Sequence, residues 1–343
     1  MADDPYTETL CGLGTEAGLD AVGVAAAQVF ESTRQTLRQR RALGHHGGMA
    51  FTYRNPERST DPGRIVAGAQ AIVVGARNYL RSEAPGPLGA PGGAVARYAW
   101  VDHYASLRTA LGVVAERLKG DGWKAVVVAD DNALVDREAA YRAGLGWYGK
   151  NANLLLPGRG SWFVLGSVVT DAPLQPASEP VPDGCGACHR CIDACPTGAI
   201  VAPGVVDARR CLAWLLQRPG SFPVEFRAAA GGRIYGCDDC QTVCPPNIRF
   251  GRAEPVEVDA HPVVDLIEML EVDDAALLAR HGRWYIAGRD PRWLRRNALV
   301  ALGNVGDGRA DAVLARYRDG DDALLAEHAT WAVHRRGERA TTT

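Results

Sequence analysis

Cysteine spacing constrains this chain more than any other feature, because eight of its nine cysteines fall between Cys185 and Cys244. The first group reads Cys185-Gly-Ala-Cys188-His-Arg-Cys191-Ile-Asp-Ala-Cys195-Pro196. The second is Cys211 followed by Cys237-Asp-Asp-Cys240-Gln-Thr-Val-Cys244-Pro245. Three thiolates at two-residue intervals wrap one face of a cuboidal [4Fe–4S] cluster, and a fourth, followed by proline, reaches across to a second cluster. Crossed ligation of this kind predicts one cluster on Cys185, Cys188, Cys191 and Cys244, and another on Cys195, Cys211, Cys237 and Cys240. A zinc ribbon needs only four ligands per metal and has no use for the third evenly spaced cysteine or the Cys-Pro ends. A disulfide framework suits small secreted domains, whereas a chain of 343 residues can bury a large core, and no signal peptide is expected in it. Cys11 reads as an ordinary buried thiol.

Thiolates that carry clusters need a reducing compartment, so the expected location is the cytoplasm. No apolar run approaches the roughly 20 residues of a membrane span. A formal net charge of −2 excludes a globally basic nucleic-acid binder and leaves room for local patches.

Before the cysteines, apolar runs at Ala21–Ala27, Ala69–Ala76, Trp123–Ala129 and Ser161–Thr170 read as strands. Asp102 to Lys119 carries Leu107, Leu111, Val114 and Leu118 at helical spacing. Residues 81–95, rich in proline and glycine, read as a loop, and 173–182 as a linker. Adjacent His45 and His46 lie among glycines and read as a flexible loop rather than a metal site. The strand ending at Ala129 delivers Asp130 and Asp131 to its carboxyl end, where layered α/β architectures commonly bind ligands. The glycines of Gly144–Asn151 permit close approach by a ligand, with Lys150 as a candidate phosphate contact. That loop follows a helix, so it is no dinucleotide fingerprint, and the P-loop frame fails. Past residue 290, three short helices with apolar faces resemble HEAT-type repeats. From His281 onward 11 arginines face 8 acidic residues, and Arg292, Arg295 and Arg296 cluster on the first helix as candidate phosphate contacts.

Several segments together resemble the epoxyqueuosine reductase family, cobalamin-dependent iron–sulfur enzymes of queuosine biosynthesis in tRNA. They are Arg137-Glu138, then Ala143-Gly-Leu-Gly-Trp147-x-Gly149-Lys150-Asn151, Gly160-Ser-Trp-Phe163 and Leu165-Gly166. They continue through the first cysteine run, Pro196-Thr-Gly-Ala-Ile200, Val206-Asp-Ala-Arg-Arg-Cys211 and Arg233-Ile-Tyr-Gly-Cys-Asp-Asp-Cys-Gln-Thr-Val-Cys-Pro245. The resemblance covers most of the chain. It implies an α+β protein: a nitroreductase-like, mixed α/β cobalamin-binding domain over 1–180, a ferredoxin-like domain with two [4Fe–4S] clusters over 181–255, and HEAT-like tRNA-contacting helices over 256–343.

The activity implied is reduction of epoxyqueuosine to queuosine at the tRNA wobble position by Co(I) cobalamin fed by the two clusters. Asp130 is then the proton donor and a cobalamin neighbour. Asp238, Asp239 and Arg58 are corrin contacts, and Arg137, Arg292, Arg295 and Arg296 are tRNA contacts. The family's cobalamin has no histidine ligand, consistent with the absence here of Asp-x-His-x-x-Gly; Asp259-Ala-His261 lacks the glycine. The implied partners are a tRNA anticodon stem-loop and an electron donor such as a flavodoxin or ferredoxin; the expected state is a monomer. The family often shows Asp-x-x-Pro-x-x-Glu-Arg after the strand that ends at Ala129, where this chain has Asp130-Asp-Asn-Ala133-Leu-Val-Asp136-Arg137. It also tends to show Asp-Tyr-His where this chain has Asp102-His103-Tyr104. Two alternatives stay open: a related cobalamin and iron–sulfur reductase, dehalogenase-like, acting on a small molecule, and a non-catalytic electron carrier.

Overall fold

A computed structural model of the chain describes residues 4–82, 91–251, 255 and 259–342. The strands β1 (Ala21–Ala26), β2 (Ala71–Asn78), β4 (Ala125–Val128) and β5 (Phe163–Thr170) form a sheet in the order β1-β2-β5-β4. Between β2 and β4 in sequence lies β3 (Gly92–Val95), which belongs elsewhere. Both central strands are nearly continuous runs of buried residues, as a sheet covered on two faces requires. Val73, Val164 and Val168 point to one face, where α1 (Pro5–Glu16) and α3 (His103–Gly120) bury Leu10, Leu107, Leu111 and Leu118. Ile72, Val74, Leu165 and Val169 point to the other, against Leu134, Ala139 and Ala140 at α4 (Asp136–Arg142). Preceding these in sequence, α2 (Glu31–Ala42) follows Phe30, which packs into the same cluster. The strand and helix expectations hold here, and the structure adds that Asp102 caps α3, its carboxylate accepting from Ala105 N at 2.9 Å.

All pairings in this sheet are antiparallel. The expectation of a ligand edge at strand carboxyl ends came from parallel sheets and is corrected to that extent. In this register the carboxyl ends of β2 and β4 and the amino end of β5 still lie together, with Asn78 opposite Phe163.

A second sheet joins distant parts of the chain. β3 lies between β6 (Arg233–Tyr235), parallel to it, and β7 (Val263–Asp265), antiparallel. The stretch 81–95 is therefore not wholly a loop: 83–90 lie outside the described residues, and Gly92–Val95 is a strand. Gly-Gly-Ala-Val carries no alternating pattern, and its pairing is set by partners far along the chain. Val95, Ala99 and Trp100 enter one core with Ile234, Tyr235, Leu266, Leu294, Leu299 and Leu302, so a boundary at residue 180 does not separate the cores. The helices α5 (Arg292–Val305), α6 (Asp311–Arg318) and α7 (Ala323–Thr342) complete that core through Leu314, Leu325, Ala329 and Ala332.

His328 on α7 is fully buried, and its ring ties two segments. Nδ1 donates to Leu324 O at 2.7 Å, while Nε2 accepts from Phe222 N at 3.1 Å. Although Nδ1 also lies 3.0 Å from the Glu327 carboxylate, an accepting Nε2 requires the neutral ring. Burial first, then Arg227 and Arg296, pushes its pKa down to about 4, against the helix carbonyl and Glu327, which raise it. A histidine whose folded pKa lies below its unfolded value stabilises the fold above about pH 6.5 and loses that contribution as pH falls toward 4. Denaturant titrations at pH 7 and pH 4.5 should show a loss on the order of 3 kcal/mol that is smaller in His328→Asn.

Candidate functional site

The eight cysteines are all half-buried free thiols, and their mutual repulsions show which lie near one another. The Cys244 thiol is pushed up to about 11, by burial first and then by Cys191, Cys185 and Cys188, against a hydrogen bond from Asn247. Burial raises Cys211, and Cys195 adds to it. Burial, Asp239 and Cys211 push Cys237 up to about 12, with Arg233 opposing. Cys240 is raised by burial and then by Cys237, Cys211, Cys191 and Cys195, in that order. Cys244 thus faces the first run although it ends the second, the arrangement that crossed ligation needs. Among the described residues no Cys, His, Asp or Glu triplet converges on a single ion; a cube with one thiolate per iron uses a wider set.

A buried polar network fixes the second cysteine loop to the edge of the first sheet. Gln241 Nε2 donates to Tyr79 OH, Ser161 O and Ser161 Oγ, each at 3.0 Å. Asn247 Nδ2 donates to Ser161 Oγ at 3.0 Å and to Gln241 O at 2.8 Å, and its Oδ1 accepts from Ser161 N at 2.5 Å. Gly160 is required beside it, because it combines φ +73° with space that a Cβ would take from Asn247.

The Gly144–Asn151 segment joins this fastening. Asn151 Nδ2 donates to Cys240 O at 3.3 Å, and Lys150 Nζ to Gly186 O at 2.6 Å inside the first cysteine run. Lys150 is thereby an internal tie rather than a phosphate contact. At Gly146 the close approach is made by the Leu155 backbone, not by a ligand.

Between the sheet edge and the cysteine loops lies a cavity of about 920 Å³. One wall holds Cys195, Cys211, Cys237 and Cys240; the opposite wall holds Leu134, Asp136, Arg137 and Tyr148. Ser32, Thr33 and Thr36 of α2 and the unpartnered His45 Nδ1 add hydrogen-bonding groups. The other four cysteines do not line it. Cys185, Cys188 and Cys191 belong to a loop whose Asp183, Ala187, His189 and Arg190 are exposed, and Cys244, at the end of the second cysteine run, faces them. Four of the eight cysteines therefore border the cavity, and three of the others sit among exposed residues.

Asp130 occupies a turn beyond β4 with φ +53°, a conformation disfavoured for residues other than glycine. It is open to solvent and lies beside the cavity rather than in its wall. Its pKa is nonetheless raised, by partial desolvation first and by Asp102 and Asp131, with Arg108 opposing. Ser59 anchors the turn, its Oγ donating to Asn132 O at 2.8 Å and its carbonyl accepting from Val135 N. Arg137 lies exposed in the cavity wall with no hydrogen bond or ion pair among the described residues.

The remaining expected contacts fare differently. Arg58 is exposed on a short helix and is not among the residues that line the cavity. Asp238 faces a second cavity of about 460 Å³, its Oδ2 accepting from Arg97 N at 2.8 Å, whereas Asp239 reaches the main cavity while paired to Arg233 at 2.7 Å. Arg295 and Arg296 are corrected outright as phosphate contacts. Arg296 is fully buried and donates to the carbonyls of Arg218, Gly220, Leu215 and Leu216. Arg295 serves the carbonyls of Met269, Leu270 and Val272, with Asp274 at 2.6 Å. Both guanidiniums cap helix ends from inside. Arg292 is half-exposed and paired with Asp290 and Asp322.

Sequence reasoning missed Asp136, Tyr98, Gln217 and the hydroxyls of α2 as cavity residues. Only Asp136 carried a signal, since it stands where a glutamate is usual in the resembling family.

The family model described as a 4Fe-4S double cluster binding domain matches residues 184–247. Epoxyqueuosine reductase of Bacillus anthracis is 34% identical over 93% of this chain and 86% of its own length. A crystal structure of epoxyqueuosine reductase with an epoxyqueuosine-modified tRNA-Tyr stem loop is 31% identical, with a TM-score of 0.88 over 98% of this chain and 91% of that one. The Bacillus subtilis enzyme, solved with its aspartate-bearing catalytic loop swung out of the active site, gives the same identity, TM-score and coverage.

Crossed ligation makes a specific forecast. Cys244→Ser should disable the same cluster as Cys185→Ser, and Cys195→Ser the same one as Cys237→Ser. Each single variant should retain roughly half the iron. Iron content and the cluster's electron paramagnetic resonance signal, compared between the pairs, check the assignment.

Proposed function

The chain belongs to the epoxyqueuosine reductase family, and we propose that it reduces epoxyqueuosine to queuosine in the wobble position of tRNA. The observation that carries this reading is a single cavity with four cluster-type thiolates on one wall and an exposed, unpaired arginine beside acidic residues on the other. Reduction of an epoxide to an alkene needs electrons and protons delivered to one bond, and these walls are furnished for each.

Cobalamin fits the cavity as its resident cofactor. The volume is at the upper end of ligand sites, roughly 300–1,000 Å³, and Ser32, Thr33, Thr36 and His45 offer partners for the amides on a corrin rim. Bound there, cobalamin supplies a cobalt centre able to collect electrons singly and attack carbon. Cys195, Cys211, Cys237 and Cys240 would hold one [4Fe–4S] cluster against it, and Cys185, Cys188, Cys191 and Cys244 the other near the surface, within reach of a flavodoxin- or ferredoxin-type donor. Asp130 is the general acid for the departing oxygen, and its pKa, raised by partial desolvation, favours the proton-bearing form that the role needs. From its solvent-facing position the Asp130 turn closes over the substrate. Arg137 holds a phosphate of the anticodon loop, whose bases are splayed into the cavity. The same reading takes the sheet domain as nitroreductase-like, α5–α7 as HEAT-like, and the protein as a cytoplasmic monomer.

Anaerobically purified protein, reconstituted with clusters and B12, should convert epoxyqueuosine tRNA to a nucleoside lighter by one oxygen. Failure to take up any B12 form overturns the assignment. Asp130→Asn should abolish turnover with B12 still bound, and wild-type turnover should decline as pH rises through the elevated carboxyl pKa. Arg137→Ala should weaken tRNA binding and reduce its salt slope by about 1, whereas Arg296→Ala should lower the melting temperature.

A further inference from the structure

Removing an epoxide oxygen as water breaks two C–O bonds, forms one C=C π bond and two O–H bonds, and consumes two electrons and two protons. Asp130 accounts for one proton. Three carboxyls line the cavity wall among the described residues: Asp136, Glu138 and Asp239. Glu138 is engaged by Arg142 at 2.7 Å and by Tyr148 OH at 3.3 Å, and Asp239 by both carboxylate oxygens with Arg233. Asp136 has no hydrogen bond or ion pair among the described residues, and its Oδ1 is shut away from solvent. Its charged and titratable neighbours are Asp130 and Asp131 from the turn beyond β4, Tyr104 from α3, and Arg137 on its own helix.

Resting on the reduction assigned above, we propose that Asp136 is the second acid of the site, holding the proton that converts the departing hydroxide to water after Asp130 has given the first. Electrons come from the external donor through the clusters, so the step needs no further co-reactant. The physical state of the carboxyl agrees with the role. Burial raises its pKa well above the usual carboxylate range, Asp130 and Asp131 add to this, and Arg137 opposes it. An unpaired, enclosed oxygen is costly in the ionised form, whereas a carboxylic acid keeps its proton available. Asp130 faces solvent and can be recharged from water, whereas the Oδ1 of Asp136 is closed off from it.

The alternative is that Asp136 serves only as an ionised acid in the first turn of α4, favoured there by the helix dipole. Difference infrared spectroscopy of wild type against Asp136→Asn separates the two, and it needs no turnover. The proposal expects a protonated-carboxyl carbonyl band at pH 7 that the variant lacks; an ionised Asp136 at that pH overturns it. In reconstituted enzyme, Asp136→Asn should turn over about 100-fold more slowly with unchanged B12 and tRNA binding. Acetic acid should partly rescue it, and Asp136→Glu should stay active. Wild-type rate and pH profile in Asp136→Asn, or loss of activity in Asp136→Glu equal to that in the asparagine variant, also overturn the role. Wild type that shows the band but makes no queuosine sinks the assigned reaction and with it the role, while the protonated carboxyl stands.

Discussion

Everything at the site depends on the hydrogen bonds by which Gln241 and Asn247 fasten the second cysteine loop to Ser161 and Tyr79. A cysteine loop shaped by its cluster has no intrinsic reason to sit against a particular sheet edge. Two amide side chains, each fully engaged and buried, supply that reason, since displacing either one strands several polar groups without water. The cavity is the space left between the parts so joined. Its dimensions follow from an anchoring chemistry that touches neither ligand nor substrate.

Buried charge does two different jobs in this chain. Arg295 and Arg296 hold helix ends together from within, and desolvation drives the pKa of Arg296 down to about 9, further lowered by Arg218 and Arg227. With so many carbonyl acceptors the guanidinium is stabilised without an acidic partner. In the cavity wall the same loss of water acts on Asp136 with the opposite outcome, because there nothing among the described residues accepts from or donates to its carboxyl. One setting spends burial on architecture, the other leaves a titratable group unsatisfied next to chemistry.

The double-cluster domain and the main sheet were legible because each leaves a local mark: fixed spacing for the thiolates, and β-branched runs for β2 and β5. Asp130 could be placed at a ligand edge for the same reason, although the parallel-sheet rule behind it does not describe this antiparallel sheet. Arginine clustering misled, since a run on one helix looks alike whether it faces phosphate or neighbouring carbonyls; only tertiary packing distinguishes them. Lys150 shows the same ambiguity, its partner lying in the first cysteine run. β3 was invisible because glycine and alanine carry no alternation, and its neighbours are recruited from remote sequence.

That strand has a consequence for synthesis. As the chain leaves the ribosome, Gly92–Val95 emerges long before Arg233–Tyr235 and Val263–Asp265, the segments that flank it on either side. Until they arrive, both of its edges are open to non-native pairing. Its small residues, poor in β-propensity, blunt that hazard. Completion of the last third of the chain is thus also the event that commits the first third.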